Sequence, residues 1–136
     1  MKTAIVYYSW GGETEKIARQ QAMQTQADLF KITETERFGT FKAFTVGCIK
    51  ALKMQSVPIH SLDAPLAEYE HIIIMGPIWA GHPAPAINAI WDQLPPNKNI
   101  SVMMVSKSGS SSAKDKINAL IERRRCKLSD YQDIKA

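Results

Sequence analysis

The sequence predicts a doubly wound α/β domain, a parallel sheet with helices on both faces in three α/β/α layers. Three observations predict it. Residues 3–8 (TAIVYY), 71–76 (HIIIMG) and 100–106 (ISVMMVS) are nearly continuous apolar runs, the pattern of parallel strands covered on both faces. Segments of helical period lie between the strands, which gives parallel pairing with crossover helices. Each run hands over to a polar loop (residues 9–13, 77–83 and 107–112), and ligands of such sheets sit beyond the carboxyl ends of the strands.

Taken in order, residues 3–8 are strand one and residues 14–25 the helix after it. Ile17, Ala18 and Ala22 form a modest apolar stripe there, with Glu15, Lys16, Arg19 and Gln20 toward water. Residues 28–33 alternate Leu29, Phe30 and Ile32 with polar positions, as an edge strand does. In residues 37–54, Phe38, Phe41, Thr45, Cys48, Ile49 and Leu52 recur at helical steps, with Lys42, Lys50 and Lys53 off the stripe. This aromatic stripe is expected to face the sheet as core. Residues 57–66, broken by Pro58, Asp63 and Pro65, read as a connecting loop.

After the strand at 71–76, residues 77–83 (PIWAGHP) read as a loop and 84–94 as a helix. Pro85 sits in its first turn, where a missing N–H costs nothing. Ala86, Ile87, Ile90, Trp91 and Leu94 lie on one side, and Pro95–Pro96 end it. Residues 107–112 (KSGSSS) form a polar loop whose Ser112 is expected to cap a helix at 113–125. Residues 126–136 leave room for at most one short strand, so the final helix usual in such folds is expected to be lacking.

Composition narrows the function classes. The 136 residues fit one domain spanning 1–136. With 45% hydrophobic and 22% charged residues the chain is expected to fold rather than stay disordered. No apolar run approaches the length of a membrane span, strand-like sequence begins at once without a leader pattern, and Cys48 and Cys126 make no disulfide framework. These features point to the cytoplasm, with both thiols incidental. The net charge is +4, with Lys and Arg concentrated in residues 42–53 and 123–127. Without a recognition helix or basic–aromatic interleaving, no nucleic-acid partner is expected.

The most informative stretch is residues 5–18, IVYYSWGGETEKIA. A strand, a tight glycine-bearing turn and a helix start make an anion site, because first-turn N–H groups point out of the helix end where the macrodipole is positive. A phosphate can be held there without Lys or Arg. Gly11 and Gly12 allow close backbone approach, and Ser9 and Thr14 add hydroxyl donors. The spacing of Ser9, Gly12, Thr14 and Ala18 resembles the phosphate loop of flavodoxins, and GPIWAGHPAPAI resembles the PxW loop and helix start of a flavodoxin subfamily. That resemblance covers most of the chain. It implies the strand order 2-1-3-4-5 and FMN as cofactor, with its 5′-phosphate on Ser9, Trp10, Gly11, Gly12, Glu13 and Thr14. Glu13 stands where such loops commonly carry Asn, and its carboxylate must turn outward to spare a phosphate dianion.

The second loop, Pro77, Ile78, Trp79, Ala80, Gly81 and His82, would border the flavin ring. Trp79 either lies against the ring or packs on the next helix. His82 is an exposed loop histidine or, alternatively, a proton tuner near the ring edge. In the third loop, Ser108, Gly109 and Ser110 either meet the pyrimidine edge or simply lead into a helix. Lys107 either stabilises the anionic reduced flavin or lies in solvent. Trp10 either covers the ribityl chain or lies exposed. His60 and His71 read as incidental, and neither a protein nucleophile nor a metal site is expected.

The function implied is redox chemistry on bound FMN, either as an electron carrier or as a small reductase of a quinone-like acceptor, with a redox protein or a small molecule as partner. A basic chain is expected to have a less negative midpoint potential than an acidic carrier. The alternative is a binding or regulatory module of the same fold that has lost its flavin. A phosphoryl-accepting receiver is excluded, since Ser9–Trp10 and Gly76–Pro77 stand where acidic residues are needed. Neither Gly-Lys-Ser/Thr nor GxGxxG occurs. Finally, with no last helix, an apolar strip of the sheet is expected to be uncovered, and either a second copy of the chain closes it or the chain lacks its natural end.

Overall fold

The computed structural model describes residues 2–136. Strand β1 (Thr3–Tyr7) leads into helix α1 (Glu13–Thr25), then β2 (Asp28–Lys31) and a helical segment α2 at residues 40–52. Strand β3 (His71–Trp79) turns back into the two-residue β4 (His82–Pro83), followed by α3 (Pro85–Asn88) and a 3₁₀ turn at Trp91–Gln93. Strand β5 (Asn99–Ser106), helix α4 (Lys114–Arg123) and strand β6 (Lys127–Lys135) complete the described chain.

The sheet order is β2-β1-β3-β5-β6, every pair along this path parallel, with β4 off the path. With the small hairpin strand set aside, this is the expected 2-1-3-4-5 order. Register places Val6 beside Ile74 and Ile74 beside Val102, so one face is continuous from β1 to β5. That face carries Ala4, Val6, Ile72, Ile74, Ile100, Val102 and Met104, and it packs on Ile87, Ile90, Trp91 and Leu94 of the α3 region and Ile117 and Ile121 of α4. The apolar side expected of residues 84–94 is buried, although the helix breaks at Ala89–Ile90 into α3 and a 3₁₀ turn. The opposite face carries Ile5, Tyr7, Ile73, Met75 and Met103 beneath α1, whose Ala18 is fully buried.

Several expectations are corrected. The apolar strip expected to be bare is not exposed: within one chain Ile73, Met75 and Met103 are 3%, 0% and 8% exposed. Beyond it the sheet turns polar, because β6 sets Asp130 and Gln132 in register with Ser101 and Met103. The ground for expecting a second copy on this face is therefore removed. Residues 126–136 are not a short strand; β6 runs nine residues, paired along all of β5. Ser112 does not cap α4, whose N-cap is Ala113 with no side-chain bond; the Ser112 N–H donates instead to the Gly81 carbonyl at 2.8 Å.

The largest correction concerns α2. The sequence places Phe41, Ile49 and Leu52 in the core, yet they are 81%, 55% and 53% exposed. The segment instead buries the small residues Ala43, Gly47 and Ala51. Its middle, Ala43–Gly47, is a π-helical stretch. Close approach explains the choice: a Cβ on Gly47 would lie 2.7 Å from Cζ3 of Trp79 and 3.1 Å from Cδ2 of Phe38. A large side chain facing inward has no room, so the large ones face out.

Candidate functional site

The loops leaving β1, β3 and β5 converge on one cavity of about 700 Å³, within the range typical of small-molecule sites. Its first wall is the β1–α1 loop: Ser9, Trp10, Gly11, Glu13 and Thr14. The turn is closed by the Gly12 N–H, which donates to Ser9 Oγ at 3.0 Å, and Gly12 has φ 97°, a conformation favouring glycine. Gly12 is the N-cap of α1 and supplies no side chain; the first backbone bond into the helix is from the Lys16 N–H to the Gly12 carbonyl. The first-turn N–H groups of a helix started this way have no internal acceptor. Side chains at Gly11 or Gly12 would meet nothing within 4 Å, so the approach to them is open. Thr14 is buried, whereas Glu13 is exposed and is one of the residues bordering the cavity.

The second wall corrects the expected loop at 77–83. Pro77, Ile78 and Trp79 continue β3, and Ala80–Gly81 make a two-residue hairpin turn with φ 52° and 78°. Positive φ at both central residues is the turn whose twist matches paired strands, and it pairs Trp79 with His82. Pro77 to Gly81 all line the cavity. His82 does not: it is 5% exposed, behind the wall. Its Nδ1 lies 3.0 Å from the Ala80 carbonyl and its Nε2 3.2 Å from Lys116 Nζ. The carbonyl can only accept and the ammonium only donate, so Nδ1 carries the proton and Nε2 receives the ammonium. His82 is thus neither an exposed loop histidine nor a group at a ring edge; it fixes the hairpin to α4.

Trp79 both lines the cavity and packs. Its indole meets Trp10 edge to face with centroids 6.3 Å apart, and Tyr8 at 6.5 Å. Trp10 is held by its Nε1–H, which donates to the Phe38 carbonyl at 3.2 Å, and by the Arg37 guanidinium 5.1 Å from its ring. Arg37 also donates to the Trp10 carbonyl at 2.6 Å. Burial, with help from the Glu34 carboxylate, pushes the Tyr8 phenol far above its ordinary value, so it stays neutral.

The third wall is the β5–α4 loop. Lys107, Ser108 and Ser110 line the cavity, while Gly109 (φ 72°) shapes the turn without lining it. The Gly109 N–H donates to Ser106 Oγ at 3.0 Å. Ser111 ties the loop to β6, 2.6 Å from the Tyr131 hydroxyl and donating to Asp133 at 2.7 Å.

Sequence reasoning missed seven lining residues. Val105, Ser106, Ser111 and Ser112 flank the third loop, and Ala43, Phe44 and Cys48 come from α2. The small residues at 43, 47 and 51 were the available signal, since spacing by four marks one helix face. Among the described residues, Glu13 and Lys107 are the only charged residues lining the cavity, and no cluster of His, Cys, Asp or Glu could hold a metal. An uncapped helix start with open glycines and two hydroxyls fits a phosphoester. Indoles on the first and second walls and small hydroxyl residues on the third fit a flat, polar-edged heterocycle.

No family model and no curated relative matches the chain. Solved structures do. A flavoprotein from Lactobacillus acidophilus NCFM, crystallised in complex with FMN, superposes with a TM-score of 0.79 at 21% identity, covering 96% of this chain and 91% of that one. A protein from Bacteroides eggerthii DSM 20697, provisionally assigned as a flavoprotein, gives 0.80 at 16% identity, covering 96% and 86%. The flavodoxin of Streptococcus pneumonia TIGR4 gives 0.56 at 14%, covering 100% and 87%. At these identities the likeness establishes the fold, which is flavodoxin-like.

Proposed function

We propose that the cavity binds FMN and that the protein transfers electrons through it, to a redox partner or to a quinone-like small molecule. One observation carries the reading: the uncapped start of α1 opens into a cavity walled by indoles and almost free of charged side chains. A phosphate monoester suits such a place, because backbone N–H groups and the helix dipole hold it without a basic side chain. In this reading the first-turn N–H groups with Ser9 and Thr14 hold the phosphate, and Trp10 and Trp79 exclude water from the ring. Ser108 and Ser110 meet its polar edge, with Lys107 nearby to favour negative charge there. FMN, when bound, supplies one- and two-electron transfer; the protein supplies orientation and electrostatics. Because the chain is basic, with a net charge of +4, the midpoint potential is expected to be less negative than that of an acidic carrier.

The test is direct. Protein purified from cells should release a yellow chromophore on denaturation, and the apo form should quench added FMN fluorescence to a stoichiometric end point. A colourless protein whose apo form leaves FMN fluorescence unchanged would overturn the reading and favour a module of this fold without flavin.

A further inference from the structure

Among the described residues, the α2 segment combines two properties found together nowhere else. Five of the six exposed large hydrophobic ones among the described residues, Phe41, Phe44, Val46, Ile49 and Leu52, lie on it. It also lies within the stretch of sequence, residues 37–62, that carries the net charge. The chain holds 17 Lys and Arg against 13 Asp and Glu; residues 37–62 hold four of the former and none of the latter, so the remainder balances at 13 each. Those four are Arg37, Lys42, Lys50 and Lys53, of which Lys42 is paired at 3.6 Å with Glu36 just outside the segment. The other basic cluster, residues 123–127, has no exposed large apolar residue.

We infer that α2 docks the protein on an anionic membrane surface. A helical segment with protruding apolar side chains among lysines is suited to lie in a bilayer interface, apolar groups inserted and ammonium groups at the headgroups. A bilayer accepts Phe41, standing 81% clear of the protein, without a matching cavity, which a protein partner would have to provide. A second copy is disfavoured, since two such segments face to face oppose like charges with no carboxylate between residues 37 and 62. Docking is peripheral; among the described residues no helix is long and apolar enough to cross a membrane. Because Ala43, Phe44 and Cys48 also line the cavity, docking would bring its mouth to the lipid boundary. The inference does not depend on what the cavity holds.

The experiment is co-sedimentation with phosphatidylcholine vesicles, with and without phosphatidylglycerol, for the wild type, Phe41→Ser/Leu52→Ser and Lys50→Gln/Lys53→Gln. Circular dichroism confirms that each variant is folded. Binding should need phosphatidylglycerol and weaken with salt. It should fall about fivefold for each lysine removed, and by more than about tenfold for the serine pair. No sedimentation with either vesicle, or sedimentation unchanged in both variants, would overturn the inference. So would a concentration-dependent dimer abolished by Phe41→Ser, or binding of polyglutamate without binding of vesicles. These would assign the face to a second copy or to an acidic protein.

Discussion

Helix α1 and segment α2 border the same cavity but meet their neighbours in different ways. Helix α1 lies over the sheet with Ala18 buried against Ile5 and Ile73, and presents its backbone end to the cavity. Segment α2 lies against Trp79 through Gly47 and turns its large residues to solvent. The first arrangement follows the ordinary rule that the apolar stripe faces in. The second shows what happens when the space under a helix is filled by an indole: only residues the size of Ala and Gly fit there, and bulk is displaced outward. Hydrophobic periodicity locates both helices but does not decide which face is buried.

Substitutions in α2 separate these two arrangements most sharply. Ala51→Leu places a large side chain at a fully buried position and should cost about 1–3 kcal/mol by overpacking. The adjacent Leu52→Ser should change stability by no more than about 0.5 kcal/mol. Urea denaturation of both variants checks this; equal losses would restore the conventional orientation of the helix. Next in size, Gly12→Val forces a β-branched residue to φ 97° and should cost about 1–2 kcal/mol, while weakening FMN binding at least about tenfold. The matching change in the hairpin, Gly81→Val at φ 78°, should cost a similar amount in stability and move FMN affinity less.

The smallest expected effect belongs to pH. Burial lowers the His71 pKa below its usual 6.5, against a raising pull from Asp130. The ring lies 2.6 Å from Ser101 Oγ on the face that α1 covers in part. The unfolded chain therefore takes up this proton first. Stability should be full above pH 6.5 and decline as pH falls below it, and His71→Gln should flatten that decline. A separate loss should begin only below about 4.5, where Glu15, its carboxyl lowered by Lys31 and Tyr7, protonates. Thermal melts across this range distinguish the two windows.

Much of the sheet was legible because its strands are apolar on both faces, and the β1–α1 turn because its glycines and hydroxyls have few other uses. The hairpin at Ala80–Gly81 was not, since proline on either side of PIWAGHP reads as loop. His82 was misplaced for the same reason: a residue in a supposed loop is assumed exposed, and nothing local announces Lys116 thirty-four positions on. The margin of polar residues on β6 was hidden by its length, because a strand with Asp130, Gln132 and Asp133 carries little apolar signal and is held by its pairing with β5.

The central claim is that the bare start of α1 captures a phosphate ester. Parallel fluorescence titrations of the apo protein with FMN and with riboflavin, which lacks only the phosphate, test it most directly. FMN should bind at least about a hundredfold more tightly, roughly 2.7 kcal/mol, with most of that difference lost in Gly12→Val. Equal affinity for the two flavins would contradict it.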